Sequence, residues 1–383
     1  MALHFTKEEL AARRRRACEE MARQGLDGLV IFRQESMYYL TGYDTSGYSM
    51  FQGMYLGADG KLALCTRSAD LRQARMTSVI EDIRIWRDRE GTTGAEDLRD
   101  LLESYGCRGK RLGIEYHAYG LTAQRGKFVD NALSGFCTTT DASDLVRLLR
   151  LVKSPAELAY VRKAGQLADE ALAVANRLTV PGASIGLVYG EMLKTILAGD
   201  GDPSASRWPM GGGEEALLVR YHTGHGTVAN NDQVTFEFAA AYRHYHAALM
   251  HVSLTSAADP RQRAMFNACV EALQSCQETL RPGRTVGEVF DAHARSLTKA
   301  GYEGHFLNAC GYTLGATYPP SWMDWPMLFT GNPQVLAPGM VFFMHMILLN
   351  SETGLSMSLG ETSIVNERGS EPVTHAPRQL VVN

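Results

Sequence analysis

Val234–Thr255 reads VTFEFAAAYRHYHAALMHVSLT. Its two ends are rich in β-branched and aromatic residues, and the middle is interrupted at Ala241–His244. The stretch is therefore expected to form two strands joined by a turn. Strand periodicity puts Phe236 and Phe238 on one face and Glu237 on the other. A carboxylate set opposite two aromatic neighbours is either a solvated strand residue or a group held in a cleft.

The same architecture is expected twice. Val180-Pro181-Gly182-Ala183-Ser184-Ile185-Gly186-Leu187-Val188 matches Arg281-Pro282-Gly283-Arg284-Thr285-Val286-Gly287-Glu288-Val289. Each copy ends a long helix with Pro-Gly and caps the next helix with Ser or Thr. A strand pair follows each copy: Val234–Phe238 with Tyr245–Leu254, and Val341–Leu349 with Leu355–Val365. Two such units imply a pseudo-symmetric domain whose hairpins face a common cleft.

Upstream, helix and strand alternate. Lys7–Gln24 and Thr93–Ser104 have helical periodicity; Gly28–Phe32, Leu62–Thr66, Ile83–Arg87 and Arg111–Glu115 read as strands, so a small α/β domain with a mixed sheet is expected. Ser154-Pro155-Ala156-Glu157 is a capping box with proline at the first helical position, opening a helix that runs to about Leu178. The boundary is placed there, giving domains 1–153 and 154–383, consistent with a length of 383 residues.

Composition narrows the function. A net charge of −4 with 21% charged residues argues against nucleic acid as a partner. The basic run Arg13–Arg16 falls on an amphipathic helix and reads as a solvated face. No apolar run reaches the length of a membrane span, and no signal-peptide pattern opens the chain. The seven cysteines form no CxxC pair, which suits reduced thiols in a cytoplasmic protein.

Three further segments carry a resemblance. Tyr39-Leu40-Thr41-Gly42, Lys153-Ser154-Pro155-Ala156-Glu157 and Leu336-Ala337-Pro338-Gly339-Met340-Val341-Phe342 occur in the order and spacing of the creatinase, aminopeptidase P and prolidase superfamily. The chain resembles that superfamily over nearly its whole length. The resemblance implies an α+β chain: a pita-bread catalytic domain preceded by a smaller α/β creatinase-type domain. It also implies a homodimer in which the N-terminal domain closes the neighbouring site, with Tyr43, Tyr48 and Phe51 either reaching that site or packing in the core of their own domain.

The metal-binding members use two aspartates, a histidine and two glutamates. The corresponding positions here are Glu237, Ala248, Tyr312, a position near His345, and Glu361, the last with a register open by one residue. Alanine cannot hold a cation, so neither metal nor other cofactor is expected. Within the superfamily the chain is more similar to the metal-independent members, ectoine hydrolase and creatinase. Phe236-Glu237-Phe238-Ala239, Tyr242-Arg243-His244-Tyr245-His246 and Tyr318-Pro319-Pro320-Ser321-Trp322 carry the likeness to ectoine hydrolase. Leu249-Met250-His251 departs from the usual Thr-Arg or Ser-Arg pair.

A metal polarises an amide carbonyl and supplies hydroxide. An amidine or guanidine carbon is already electron-poor, so side chains alone can direct water to it. The expected function is metal-independent hydrolysis of a non-peptide C–N bond in a small zwitterionic compound. An ectoine-type cyclic amidine is first choice and a creatine-like guanidino compound second. Glu237, His222 and Glu361 are the expected catalytic residues, with His225 a rival to His222 and Glu237 acting as base or nucleophile. Tyr312, Trp322, Tyr318, Asp324, His246 and His345 are expected to line the substrate site. Two alternatives stand beside this reading: a metalloenzyme using Glu237, His345 and Glu361, and a solute-binding protein without catalysis.

Overall fold

The computed structural model describes residues 3–221, 224–256 and 258–383. It divides into two compact units, Met1–Arg150 and Leu151–Asn383.

The first unit holds helices α1 (Lys7–Gln24), α2 (Gln34–Thr41), α3 (Leu71–Thr77), α4 (Ala95–Ser104), α5 (Ala123–Leu133) and α6 (Ser143–Leu151), the last running to the boundary. Its strands are β1 (Gly28–Ile31), β2 (Gly53–Gly57), β3 (Leu62–Thr66), β4 (Asp82–Ile85), β5 (Arg111–Ile114) and β6 (Thr138–Asp141). They form a mixed sheet in the order β4-β3-β2-β1-β5-β6. Two expected bounds shift. The strand expected at Ile83–Arg87 is Asp82–Ile85; just beyond it Trp86 N–H makes a last bond to Thr66 O, and its indole N–H donates to Phe51 O at 3.0 Å. The helix expected from Thr93 starts at Ala95, because Gly94 adopts a left-handed φ of 78°.

The second unit repeats one motif. Helix α7 (Pro155–Leu178) opens with Ser154 and Glu157 satisfying each other's backbone N–H, and leads to α8 (Ile185–Ala198). Strands β7 (Met210–Gly212), β8 (Gln233–Tyr242) and β9 (Tyr245–Leu254) follow. The second copy is α9 (Pro260–Thr279), α10 (Val286–Lys299), β10 (Gly311–Thr313), β11 (Asp324–Met327), β12 (Val341–Asn350) and β13 (Leu355–Asn366).

The matched Pro-Gly segments behave alike. Gly182 and Gly283 take φ values of 86° and 83°, which a side chain would disfavour. Gly182 N–H donates to Val228 O, and Gly283 N–H to Leu336 O. Ser184 bridges Thr227 and Thr285 bridges Val335, so the repeat extends to the loop that each copy pairs with.

The strands of the second unit pair in the order β11-β10-β12-β13-β9-β8-β7. The β8–β9 turn is Arg243-His244, both at positive φ, the two-residue turn that suits strand twist. β8 therefore runs further toward the turn than the expected Val234–Phe238, while β9 has the expected bounds Tyr245–Leu254. One face of β12 and β13 carries Phe342, Met344, Met346, Leu359 and Val365 into a core with Leu273, Cys276 and Val289. The opposite face forms the cleft.

Candidate active site

Register across the sheet decides what faces the cleft. Glu237 pairs with Met250, Met250 with Gly360, and Gly360 with His345. Directly paired residues share a face, so these four form one row. The next row is Ala239, Ala248, Thr362, Phe343 and Tyr312, with Thr362 Oγ1 bridging the backbone of Ala248.

On a flat sheet Glu237 and Tyr312 would lie four strand spacings apart, about 19 Å. Yet Tyr312 Oη donates to Glu237 Oε1 at 3.3 Å. The sheet is curled, and the segment after β10 fixes the curl. Leu314 N–H donates to Val341 O, His246 N–H to Gly315 O, and Thr317 N–H to His244 O. The second half of the repeat is thereby tied to the turn of the first.

Trp322 Nε1 donates to Tyr312 Oη at 2.8 Å, so the phenol proton is directed at Glu237. Both aromatic residues are buried. Burial pushes the Tyr312 phenol well above its ordinary value, with the Glu237 charge adding to the rise. Tyr312 is therefore a neutral donor.

Glu237 remains partly accessible from the cleft, but its carboxyl lies deep among protein atoms. Desolvation raises its pKa to about 7, against the lowering effects of the Arg220 charge and the Tyr312 hydrogen bond. A carboxylate poised near neutrality can accept and return a proton. His345 is 7% exposed, with its ring against Tyr312 and Phe343 at centroid distances of 5.8 and 5.5 Å. Burial, with the nearby His293, pushes its imidazole down to about 3, so it is neutral at physiological pH. Its Nδ1 is buried without a hydrogen-bond partner.

The structure thus brings Glu237, Tyr312, Trp322 and His345 together. Arg220 joins them, a residue that the sequence did not single out. Its charge acts on Glu237, Tyr312 and His345, and its guanidinium reaches Met323 Sδ at 3.8 Å. The signal was slight: one arginine in a loop without periodicity, two residues before His222.

Several expected site residues fall elsewhere. Glu361 pairs with Met344, not with His345, and so turns to the helical face of the sheet. Arg378 grips both its oxygens, at 2.6 and 2.7 Å, and Gln277 donates to it as well. It is a structural anchor and does not enter the cleft. Glu361→Gln is expected to destabilise the fold by roughly 3 kcal/mol, because it leaves the partly buried Arg378 without its counter-charge. Denaturant unfolding should show that loss, while kcat of the surviving folded enzyme stays within a few-fold of wild type.

His246 lies on the cleft side, but both ring nitrogens are occupied. Nε2 accepts from Ala205 N–H at 2.9 Å, which leaves Nδ1–H to donate to Thr317 Oγ1 at 3.1 Å. Burial pushes it down to about 4. It braces the loop that closes the cleft and has no donor left for substrate. Tyr318 stacks on His244 at 4.3 Å and is buried. Asp324 sits on β11 opposite Thr313, its carboxylate accepting from Trp325 N–H. His225 lies exposed in its loop, and His222 lies outside the described residues. Phe51 is core of the first unit, against Phe32 and Trp86, and is unavailable for a neighbouring subunit's site. Tyr48 is half-buried in the turn Gly47–Ser49, where burial and Glu35 push its phenol up to about 12.

Comparison with known proteins follows the same division of the chain. Residues 13–152 match the Creatinase/Prolidase N-terminal domain, and residues 159–367, over half of the chain, match Metallopeptidase family M24. The chain belongs to family M24. This M24 chain is 27% identical to an uncharacterised hydrolase/peptidase of Sinorhizobium fredii, covering 99% of both chains. It is 26% identical to the ectoine hydrolase of Halomonas elongata, covering 100% of this chain and 99% of the relative. Dipeptidase PepE of Mycobacterium ulcerans superposes with a TM-score of 0.85 at 21% identity, covering 99% of each chain, which establishes the pita-bread fold. The family is one of hydrolases, peptidases among them.

The family's name implies a metal, and this M24 chain's cleft does not fit one. The row that faces the cleft offers one carboxylate, Glu237, beside Met250, Gly360 and His345. Ala248 and Tyr312 occupy two further donor positions. A side chain could not be restored at Gly360 without movement, because its Cβ would meet Phe343 at 2.7 Å and Met250 Cβ at 3.0 Å. Among the described residues, no group of three or more His, Cys, Asp or Glu is arranged to hold a metal ion. Hard divalent ions require several oxygen donors, and this set provides too few.

Proposed function

We propose that this M24 member is a metal-independent hydrolase that opens a non-peptide C–N bond in a small amidinium-type compound. An ectoine-type cyclic amidine is the first candidate, and a creatine-like guanidino compound the second. The observation that carries the reading is the lone carboxylate of the cleft-facing row, Glu237, held by Tyr312 where metal-dependent relatives need a ring of donors. The full-length similarity to ectoine hydrolase supports it.

The cationic face of the substrate lies against Glu237, with the rings of Tyr312 and Trp322 as walls. Water adds to the amidinium carbon. Glu237 takes the proton of that water and returns it to the departing nitrogen, leaving an amide and an ammonium group. Atoms and charge balance: one amidinium and one water become one amide and one ammonium. His222 is retained as a second proton carrier. Glu361 is not, because Arg378 occupies it. In this reading the enzyme works in the cytoplasm as a homodimer. Among the described residues no helix is long and apolar enough to cross a membrane.

The test is proton NMR of ectoine incubated with purified protein. Stoichiometric ring opening to the acyclic amide is expected. An inert ectoine and creatine, together with cleavage of an Xaa-Pro dipeptide, would favour the peptidase reading suggested by the family name.

A further inference from the structure

Arg220 follows the short 3-10 turn Gly213–Leu217 and is exposed. A guanidinium carries five N–H donors in a planar fork. Among the described residues its one hydrogen-bond partner is the weakly accepting sulfur of Met323, at 3.8 Å. Other arginines in the second unit are engaged differently. Arg162 holds Glu371 with two nitrogens, and Arg378 holds Glu361 likewise. Arg220 retains that capacity and carries it at the cleft. Met323 adjoins Trp322, whose indole feeds the Tyr312–Glu237 hydrogen bond. The Arg220 charge acts most on Glu237 and more weakly on Tyr312 and His345, which stand on two other strands.

We propose that Arg220 is a specificity-determining residue that receives a substrate carboxylate while Glu237 receives the cationic end. The assignment gives the anionic end of the expected zwitterionic substrate its own binding group, separate from the one that holds the cation. This rests on the function proposed above. The pairing follows from charge and geometry. A planar fork with free donors binds a carboxylate by two parallel hydrogen bonds, whereas a neutral substrate would leave it unpaired. Two opposite charges at separate points of one cleft also fix the orientation of a small ligand, which a single carboxylate cannot do.

The test compares ectoine with 2-methyl-1,4,5,6-tetrahydropyrimidine, the same cyclic amidine without the carboxylate, on wild type, Arg220→Met and Arg220→Lys. Assays run at pH 9, where Glu237 is ionised in all three proteins. Arg220→Met is expected to raise KM for ectoine by about thirtyfold, with the change falling on KM rather than kcat. The carboxylate-free amidine should lose less than threefold, and Arg220→Lys should recover part of the ectoine KM. Equal losses on both amidines, or a loss confined to kcat, would overturn the assignment. A second arm measures the melting shift produced by ectoine and by creatine, each against its carboxamide. If wild type turns over neither the two amidines nor creatine, the hydrolase reading fails, and this arm still decides on Arg220. A shift that needs both the carboxylate and Arg220 supports the assignment, and its absence in wild type refutes it.

Discussion

Glu237→Gln is expected to lower kcat by about a thousandfold or more while leaving a folded and, above neutral pH, more stable protein. The catalytic loss follows from removing the carboxylate that β8 holds in the cleft-facing row, beside Met250, Gly360 and His345. The stability gain follows from linkage. In the folded chain Glu237 keeps its proton to about pH 7, whereas an ordinary glutamate loses it near 4.5. Its folded pKa is raised, so its contribution is fully present below 4.5 and is lost as pH rises through 7. At pH 8 the buried charge costs on the order of 2 to 3 kcal/mol, which a neutral amide avoids. Urea titrations at pH 8 and pH 4 should show the variant more stable at the first and nearly equal at the second. A variant that retains turnover would remove Glu237 from the chemistry.

The second large effect is on the pH profile. A cationic substrate needs Glu237 ionised, so kcat/KM should rise about tenfold per unit up to pH 7 and level above it. Tyr312→Phe deletes a hydrogen bond that lowers the Glu237 pKa. The rising limb should move to higher pH by about one unit, costing about fivefold at pH 7, about tenfold well below it and little at pH 9. His345, held near 3, is neutral throughout this range and adds no limb of its own. A limb that stays in place would show that another group sets it.

Much of the frame was legible in the sequence because the signals were local. Ser154 and Glu157 do cap α7, and the two Pro-Gly segments do make matching turns. The Phe-Glu-Phe alternation placed Glu237 on the face opposite two buried rings, as found. What failed was non-local. Glu361 is one residue from the row that faces the cleft, and a single step in a strand reverses the face. No local pattern distinguishes Gly360 from Glu361; only pairing with His345 does. His246 lies on the expected side, but its partners, Ala205 and Thr317, come from segments 41 and 71 residues away. Helix α2 is buried at every position and so lacks the polar face by which periodicity reveals a helix. Phe51 carried no mark separating a core ring from a surface one.

The central claim is that this cleft hydrolyses a C–N bond without a divalent ion. The most direct measurement is ectoine turnover by protein dialysed against chelator, with its metal content determined on the same sample. The account predicts unchanged turnover with far less than one metal ion per chain. Turnover abolished by chelation, and restored in step with one bound divalent ion per chain, would contradict it.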